Sequence, residues 1–193
     1  MTKRLTKIGV NPDFQELSSF VHELPTVFET GGKVIYKGRN ELKEFDVEGK
    51  KLIVKSYQLP HLLNRIIYNF FRASKAKRSY SYALMLRKLG IGSPAPVGYY
   101  STGSWLLFGR SYFVCLKSDC PYTYRDFEKT VFPNQEQILR AIARTTAMLH
   151  ENGLLHKDYS AGNILFRTID EKVEVEIIDL NRMRFGNVGI EAG

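Results

Sequence analysis

The sequence predicts an α+β fold with two lobes, a small antiparallel β-rich lobe and then a lobe in which helix predominates. Three observations predict it. Residues 33–57 hold three consecutive strand-like runs separated by tight turns, and residues 135–152 hold one long stretch of helical periodicity. The change from the first pattern to the second falls at Lys117-Ser118-Asp119-Cys120-Pro121, the expected hinge. At 193 residues, with 44% hydrophobic and 25% charged residues, the chain has the composition of a soluble globular protein large enough to bury a core.

The first residues are weakly patterned. Leu17, Phe20, Val21 and Leu24 fall at helical spacing until Pro25 breaks the run, so residues 1–30 read as an N-terminal extension. Residues 31–117 read as the β-rich lobe. Lys33-Val34-Ile35-Tyr36-Lys37 leads into the turn Gly38-Arg39-Asn40. Glu41 to Val47 then alternates with period two, and Leu52 to Tyr57 follows Glu48-Gly49-Lys50-Lys51. These are three antiparallel strands in sequence. Past Pro60, the residues Leu62, Leu63, Ile66, Ile67, Phe70 and Phe71 repeat at helical spacing. A second helix is expected from Ser74 to Leu89, stopped by Gly90. Strands fit Val97 to Ser101 and Ser111 to Leu116, with a short one at Trp105 to Leu107.

Residues 118–193 read as the helical lobe. Ile138, Leu139, Ile142, Thr146 and Leu149 line one side of a helix from Gln135 to Asn152, and Gly153 ends it. Leu154 to Asp158 is expected as a loop. Asn163 to Phe166 and Val175 to Ile178 form a hairpin that delivers Asp179. Tyr122, Tyr124, Phe127 and Phe132 suit the floor of a cleft, but packing within the lobe is the favoured reading.

Composition excludes several classes. No signal-peptide pattern follows Lys3, Arg4 and Lys7, and no apolar run is long enough to cross a bilayer. Cys115 and Cys120 make no disulfide framework, and Cys115 lies inside the apolar run from Tyr112 to Leu116. A buried free thiol and a reducing, cytoplasmic setting are expected. The net charge of +8 is unevenly spread: between Glu48 and Asp119 there is no acidic residue, while Lys50, Lys51, Lys55, Arg65, Arg72, Lys75, Lys77, Arg78 and others carry positive charge. Such a stretch suits acidic headgroups, substrate phosphates or nucleic acid, the rival being a merely solvated face. The basic residues around the helix at residues 62–71 suit an anionic membrane surface, although core packing is favoured for its apolar side.

The segment richest in chemistry is His156-Lys157-Asp158-Tyr159-Ser160-Ala161-Gly162-Asn163, followed by Ile178-Asp179-Leu180-Asn181. ATP-dependent phosphoryl transfer needs one carboxylate to receive or orient the acceptor hydroxyl. It also needs an amide oxygen and a second carboxylate to hold magnesium (Mg2+) against the phosphates. Asp158, Asn163 and Asp179 supply those groups at the right spacing, and His156 is expected to orient the loop through hydrogen bonds. Position strengthens the motif, because it follows a long helix and precedes a strand, turn and strand ending in Asp. Lys55 is a lysine within an apolar strand, where its charge needs a partner, and a phosphate is a natural one.

On these residues, the strand Val54-Lys55-Ser56-Tyr57 and the phrase Lys88-Leu89-Gly90-Ile91-Gly92-Ser93-Pro94-Ala95-Pro96, the chain from about Val34 to Phe185 resembles the lipopolysaccharide kinase family, the Kdo and core-heptose kinases of the protein-kinase-like superfamily. The resemblance implies a protein-kinase-like fold, ATP as donor, and a lipid-linked sugar hydroxyl as acceptor. It places the work at the cytoplasmic face of the inner membrane. It makes Asp158 the catalytic base, Asn163 and Asp179 the magnesium ligands, and Lys55 the clamp on the α- and β-phosphates. Gly38, Arg39 and Asn40 fall where the family's phosphate-covering loop lies, although one glycine makes a sparse cradle.

Two departures qualify that implication. The helix Glu that steadies the lysine in related kinases would follow Arg78-Ser79-Tyr80, and that position is Ser81. The chain ends at Gly193, so a truncated helical lobe is expected. A minimal protein kinase or tRNA-associated kinase is therefore an alternative, as is a nucleotide-binding pseudokinase, with nucleic acid the less favoured partner.

Overall fold

The computed structural model describes residues 5–57, 73–103, 108–170 and 172–186. The helix expected at Leu62 to Phe71 and the strand expected at Trp105 to Leu107 lie outside the described residues. The chain divides into two compact units, Met1–Ser81 with Ala95–Lys117, and Tyr82–Pro94 with Ser118–Gly193.

The first unit is built on a six-stranded antiparallel sheet. Its strands are β1 (Leu5–Val10), β2 (Lys33–Lys37), β3 (Glu41–Val47), β4 (Lys50–Tyr57), β5 (Pro96–Gly103) and β6 (Phe108–Leu116), in the order β1-β5-β6-β4-β3-β2. The three consecutive strands read from the sequence are β2, β3 and β4. Alternation sorts β4 onto two faces. Leu52 and Val54, with Tyr112 and Val114 of β6, point into a core completed by Leu17, Val21, Leu24 and Phe28. Those four residues come from the short helices α1 (Ser18–His22) and α2 (Leu24–Thr30) and the turn before them. Lys55 and Tyr57 point to the other face. There Tyr57, Tyr99 and Phe113 pack against Ala76 and Tyr80 of the helix α3 (Lys75–Lys88).

Of the segment read from the sequence as an N-terminal extension, the described residues 5–30 pack into this unit. β1 pairs with β5 from Leu5↔Gly103 to Val10↔Gly98, and Leu17, Val21 and Leu24 are fully buried. The segment also supplies acids to the acid-free stretch: Glu16 pairs with Lys50 at 3.2 Å, and Glu29 pairs with Arg110. Within β3, Glu44 pairs with Lys117 at 2.8 Å. Exposed pairs of this kind stabilise little, but they reduce the field that the sequence count suggests.

The second unit holds α4 (Tyr124–Phe127) and α5 (Gln135–Glu151). It also holds β7 (Tyr122–Thr123), β8 (Leu154–His156), β9 (Ile164–Ile169), β10 (Lys172–Ile177) and β11 (Met183–Phe185). These form a three-stranded sheet, β10-β9-β7, and a two-stranded one, β11-β8. Helix predominates less than the sequence suggests, because β7, β8 and β11 are too short to leave a period-two signature. The amphipathic helix appears as read, burying Ile138, Ile142 and Leu149 and ending at Gly153 with φ +65°.

The phrase around Gly90 and Gly92 has a physical basis. Gly90 takes φ +75°, its N–H donates to the Arg87 carbonyl, and the Ile91 N–H donates to the Leu86 carbonyl, which is a Schellman end to α3. Gly92 accepts from the Ile177 N–H at 2.9 Å, and a Cβ there would lie 2.0 Å from the Val175 carbonyl oxygen. The aromatic group packs inward, with Phe166 fully buried against Tyr122 at 5.6 Å and Phe132 at 5.3 Å between ring centroids. Cys115 and Cys120 are both buried and neither is in a disulfide, and burial pushes the Cys120 thiol up to about 11. Among the described residues no helix is long and apolar enough to cross a membrane.

Candidate active site

In the second unit, α5 ends at Gly153 and the chain enters β8, which pairs with β11 in the register Met183↔His156. That pairing lays the segment after Asp179 alongside the loop that carries Asp158. The stretch expected to be loop thus contains a short strand, and the strand sets the site's geometry.

His156 joins the two segments. Its ring is buried; Nδ1 accepts from the Asp158 N–H at 3.1 Å, and Nε2 lies 3.0 Å from the Ile178 carbonyl oxygen. A main-chain N–H can only donate and a carbonyl can only accept, which assigns a neutral ring with its proton on Nε2. Both nitrogens are committed to the backbone, so His156 positions Asp158 against Ile178.

Asn163 makes the second link. Its side-chain amide donates to the Asp158 carbonyl at 2.8 Å, and its own carbonyl accepts from the Ile178 N–H at 3.0 Å. The Tyr159 hydroxyl bonds to Thr146 Oγ1 of α5 at 2.7 Å, tying the loop to the helix. The Asp158 carboxylate, roughly half exposed, lies 3.6 Å from the Arg182 guanidinium. Asp179 adopts the left-handed region, φ +59° and ψ 43°, and its Oδ1 accepts from the Asn181 side chain at 2.5 Å. Few residue types take that backbone readily, and Asp is among them. Such a departure at the end of a hairpin aims a side chain where a regular strand would not.

The structure therefore brings His156, Asp158, Asn163 and the Ile178-Asp179 segment together by hydrogen bonds. Arg182, Asn181 and Tyr159 were not legible as site residues. An Arg or Asn just after an Asp has no distinctive spacing, and the Tyr159 contact depends on the docking of α5.

In the first unit, Lys55 is half-buried on the face of β4 that α3 covers. Its ammonium stands 5.5 Å from the centroid of the Tyr57 ring. The Tyr57 hydroxyl bonds to Ser79 Oγ at 2.7 Å, and both residues are buried. Ser81, where the sequence places the missing acid, is exposed. Residues two apart on a helix point in different directions, so Ser79 and not Ser81 faces the lysine's strand. The Gly38-Arg39-Asn40 turn joins β2 and β3 as expected. The Gly38 N–H donates to the Asn40 carbonyl at 3.0 Å, which engages one amide of that turn within the turn itself.

The donor set suits a hard divalent cation. The Asn163 side-chain nitrogen is spent on the Asp158 carbonyl, and the amide oxygen is a hard donor of the same kind as the Asp179 carboxylate. Among the described residues no group of three or more His, Cys, Asp and Glu converges. A cation held by one amide and one carboxylate draws the rest of its oxygen shell from water and phosphate, as kinase sites do.

A sheet-based unit with a half-buried lysine, and a second unit with an Asp–Asn loop bonded to the Ile178 main chain just before a left-handed Asp, fit the class of protein-kinase-like phosphotransferases. The model of the lipopolysaccharide kinase (Kdo/WaaP) family matches residues 38–186, and the chain belongs to that family, whose members are ATP-dependent kinases. A solved structure of WaaP in complex with acyl carrier protein has a similar fold, with a TM-score of 0.66 at 18% identity. The match covers 94% of this chain and 73% of that one. No curated protein matches the chain.

Proposed function

We propose that the chain transfers the γ-phosphoryl group of ATP to a hydroxyl of a lipid-linked inner-core sugar, Kdo or heptose, at the cytoplasmic face of the inner membrane. The observation that carries this is the locked pair of segments: His156 and Asn163 both hold the Asp158 loop against the strand end that delivers Asp179.

Asp158 takes the proton of the acceptor hydroxyl. The new bond joins the acceptor oxygen to the γ-phosphorus, the bond from that phosphorus to the bridging oxygen breaks, and ADP departs. Lys55 holds the α- and β-phosphates. Asn163 Oδ1 and the Asp179 carboxylate would hold magnesium, which supplies charge neutralisation at the phosphates when bound. Arg182 orients the Asp158 carboxylate toward the acceptor. The exposed Lys77, Arg87 and Lys88 of α3 support peripheral contact with an anionic membrane surface.

The test is incubation of the chain with labelled ATP, magnesium and deacylated lipopolysaccharide core. Acceptors ending at Kdo are compared with acceptors that carry heptose, and tRNA and a generic protein serve as controls. Label on a core sugar, absent with Asp158→Asn, is the expected result. Transfer only to tRNA or protein, or none at all, overturns it.

A further inference from the structure

We infer that Tyr57 is the positioning residue for Lys55, and that the Tyr57–Ser79 hydrogen bond couples the lysine's strand to α3 where related kinases use a lysine–glutamate ion pair. The inference rests on the reading of Lys55 as the phosphate clamp.

The two residues lie on one strand two positions apart, so their side chains emerge on the same face. The Lys55 ammonium stands 5.5 Å from the Tyr57 centroid, within the range in which a ring's negative face attracts a cation. A ring can hold a cation in one place only if the ring itself is held. Tyr57 is 4% exposed and packed among Ala76, Tyr99, Tyr80 and Phe113, and its hydroxyl is tied to Ser79, which is 2% exposed. The chain of contacts runs from ammonium to ring to hydroxyl to helix. It conveys the position of α3 to Lys55.

A Glu at position 81 would lie about 200° around the helix from Ser79, away from this contact. The absence of an acid at Ser81 is therefore compatible with a working clamp.

The test measures affinity for magnesium-ATP in the full chain by calorimetry, with thermal melts alongside. Lys55→Met comes first and should weaken binding; if it does not, the reading of Lys55 fails and the inference fails with it. Given that loss, Tyr57→Leu should weaken binding by about threefold. Tyr57→Phe and Ser79→Ala, which keep the ring but cut its tether, should fall between Tyr57→Leu and wild type. In a Lys55→Met background, Tyr57→Leu should have no further effect on affinity. Equal losses with and without Lys55 would mean that Tyr57 is only structural and would overturn the inference alone. Should Tyr57→Leu fail to fold, Tyr57→Phe decides the question: unchanged ATP affinity in that variant is equally fatal.

Discussion

The side-chain amide of Asn163 donates to the main-chain carbonyl of Asp158 at 2.8 Å, so its nitrogen shapes the loop while the proposed ligand role falls to its oxygen. Removing it should therefore cost two things at once. Asn163→Ala is expected to lower turnover by roughly tenfold to a hundredfold and to raise the magnesium concentration needed for half-maximal rate. A titration of rate against magnesium checks this. A lower rate with an unchanged magnesium requirement would mean that Asn163 only shapes the loop.

Asp158 and Asp179 should fail in different ways. Asp158→Asn is expected to cut turnover by roughly a hundredfold or more while nucleotide affinity holds, because the carboxylate serves the acceptor. Asp179→Asn keeps a residue that tolerates the left-handed backbone, so the fold should persist while magnesium-ATP binding weakens. Calorimetry with and without magnesium separates the two, and wild-type rates in both variants would end the catalytic assignment.

Glu176 gives a pH signature in stability. Burial raises its carboxyl above the ordinary range, only partly offset by the hydrogen bond from Ser118 Oγ. A raised value means that the unfolded chain gives up the proton more readily than the folded one. Stability from this group is thus complete below the unfolded value and is lost as pH rises through the folded value. Glu176→Gln keeps an acceptor for Ser118 and removes the charge. Its melting temperature should exceed that of wild type at neutral pH, with the difference closing as the solution is acidified below the ordinary carboxylate range. A difference that is constant with pH would point to packing.

Gly92→Ala tests the close approach of the loop after α3 to β10. Its Cβ would sit 2.0 Å from the Val175 carbonyl oxygen, and main chain has little room to give. A loss of about 1–3 kcal/mol is expected from such overpacking, read from denaturant melts. A nearly neutral variant would show that the loop can move freely off β10.

Much of this protein was legible in its sequence because the signals are local. The alternation in β3, the turn at Gly38-Arg39-Asn40, the amphipathic face of α5 and its stop at Gly153 each follow from neighbouring residues. The spacing of His156, Asp158, Asn163 and Asp179 is local as well, since one loop and one hairpin carry all four.

What only the tertiary structure decided depends on partners distant in sequence. β1 becomes a strand by pairing with β5, and Leu17, Val21, Leu24 and Phe28 become core because they dock on the face of β4 opposite Lys55. The short β8 has no period to read; β11 makes it a strand and so brings the two halves of the site together. The rotational phase of α3 against the sheet turns Ser79 toward Tyr57 and leaves Ser81 in solvent, a difference of two residues that composition cannot encode. The sequence by itself determined which carboxylate, amide and imidazole groups the loop and hairpin carry. Packing decided which of their neighbours hold them, because a side chain's partner is set by the face it shares and not by its distance along the chain.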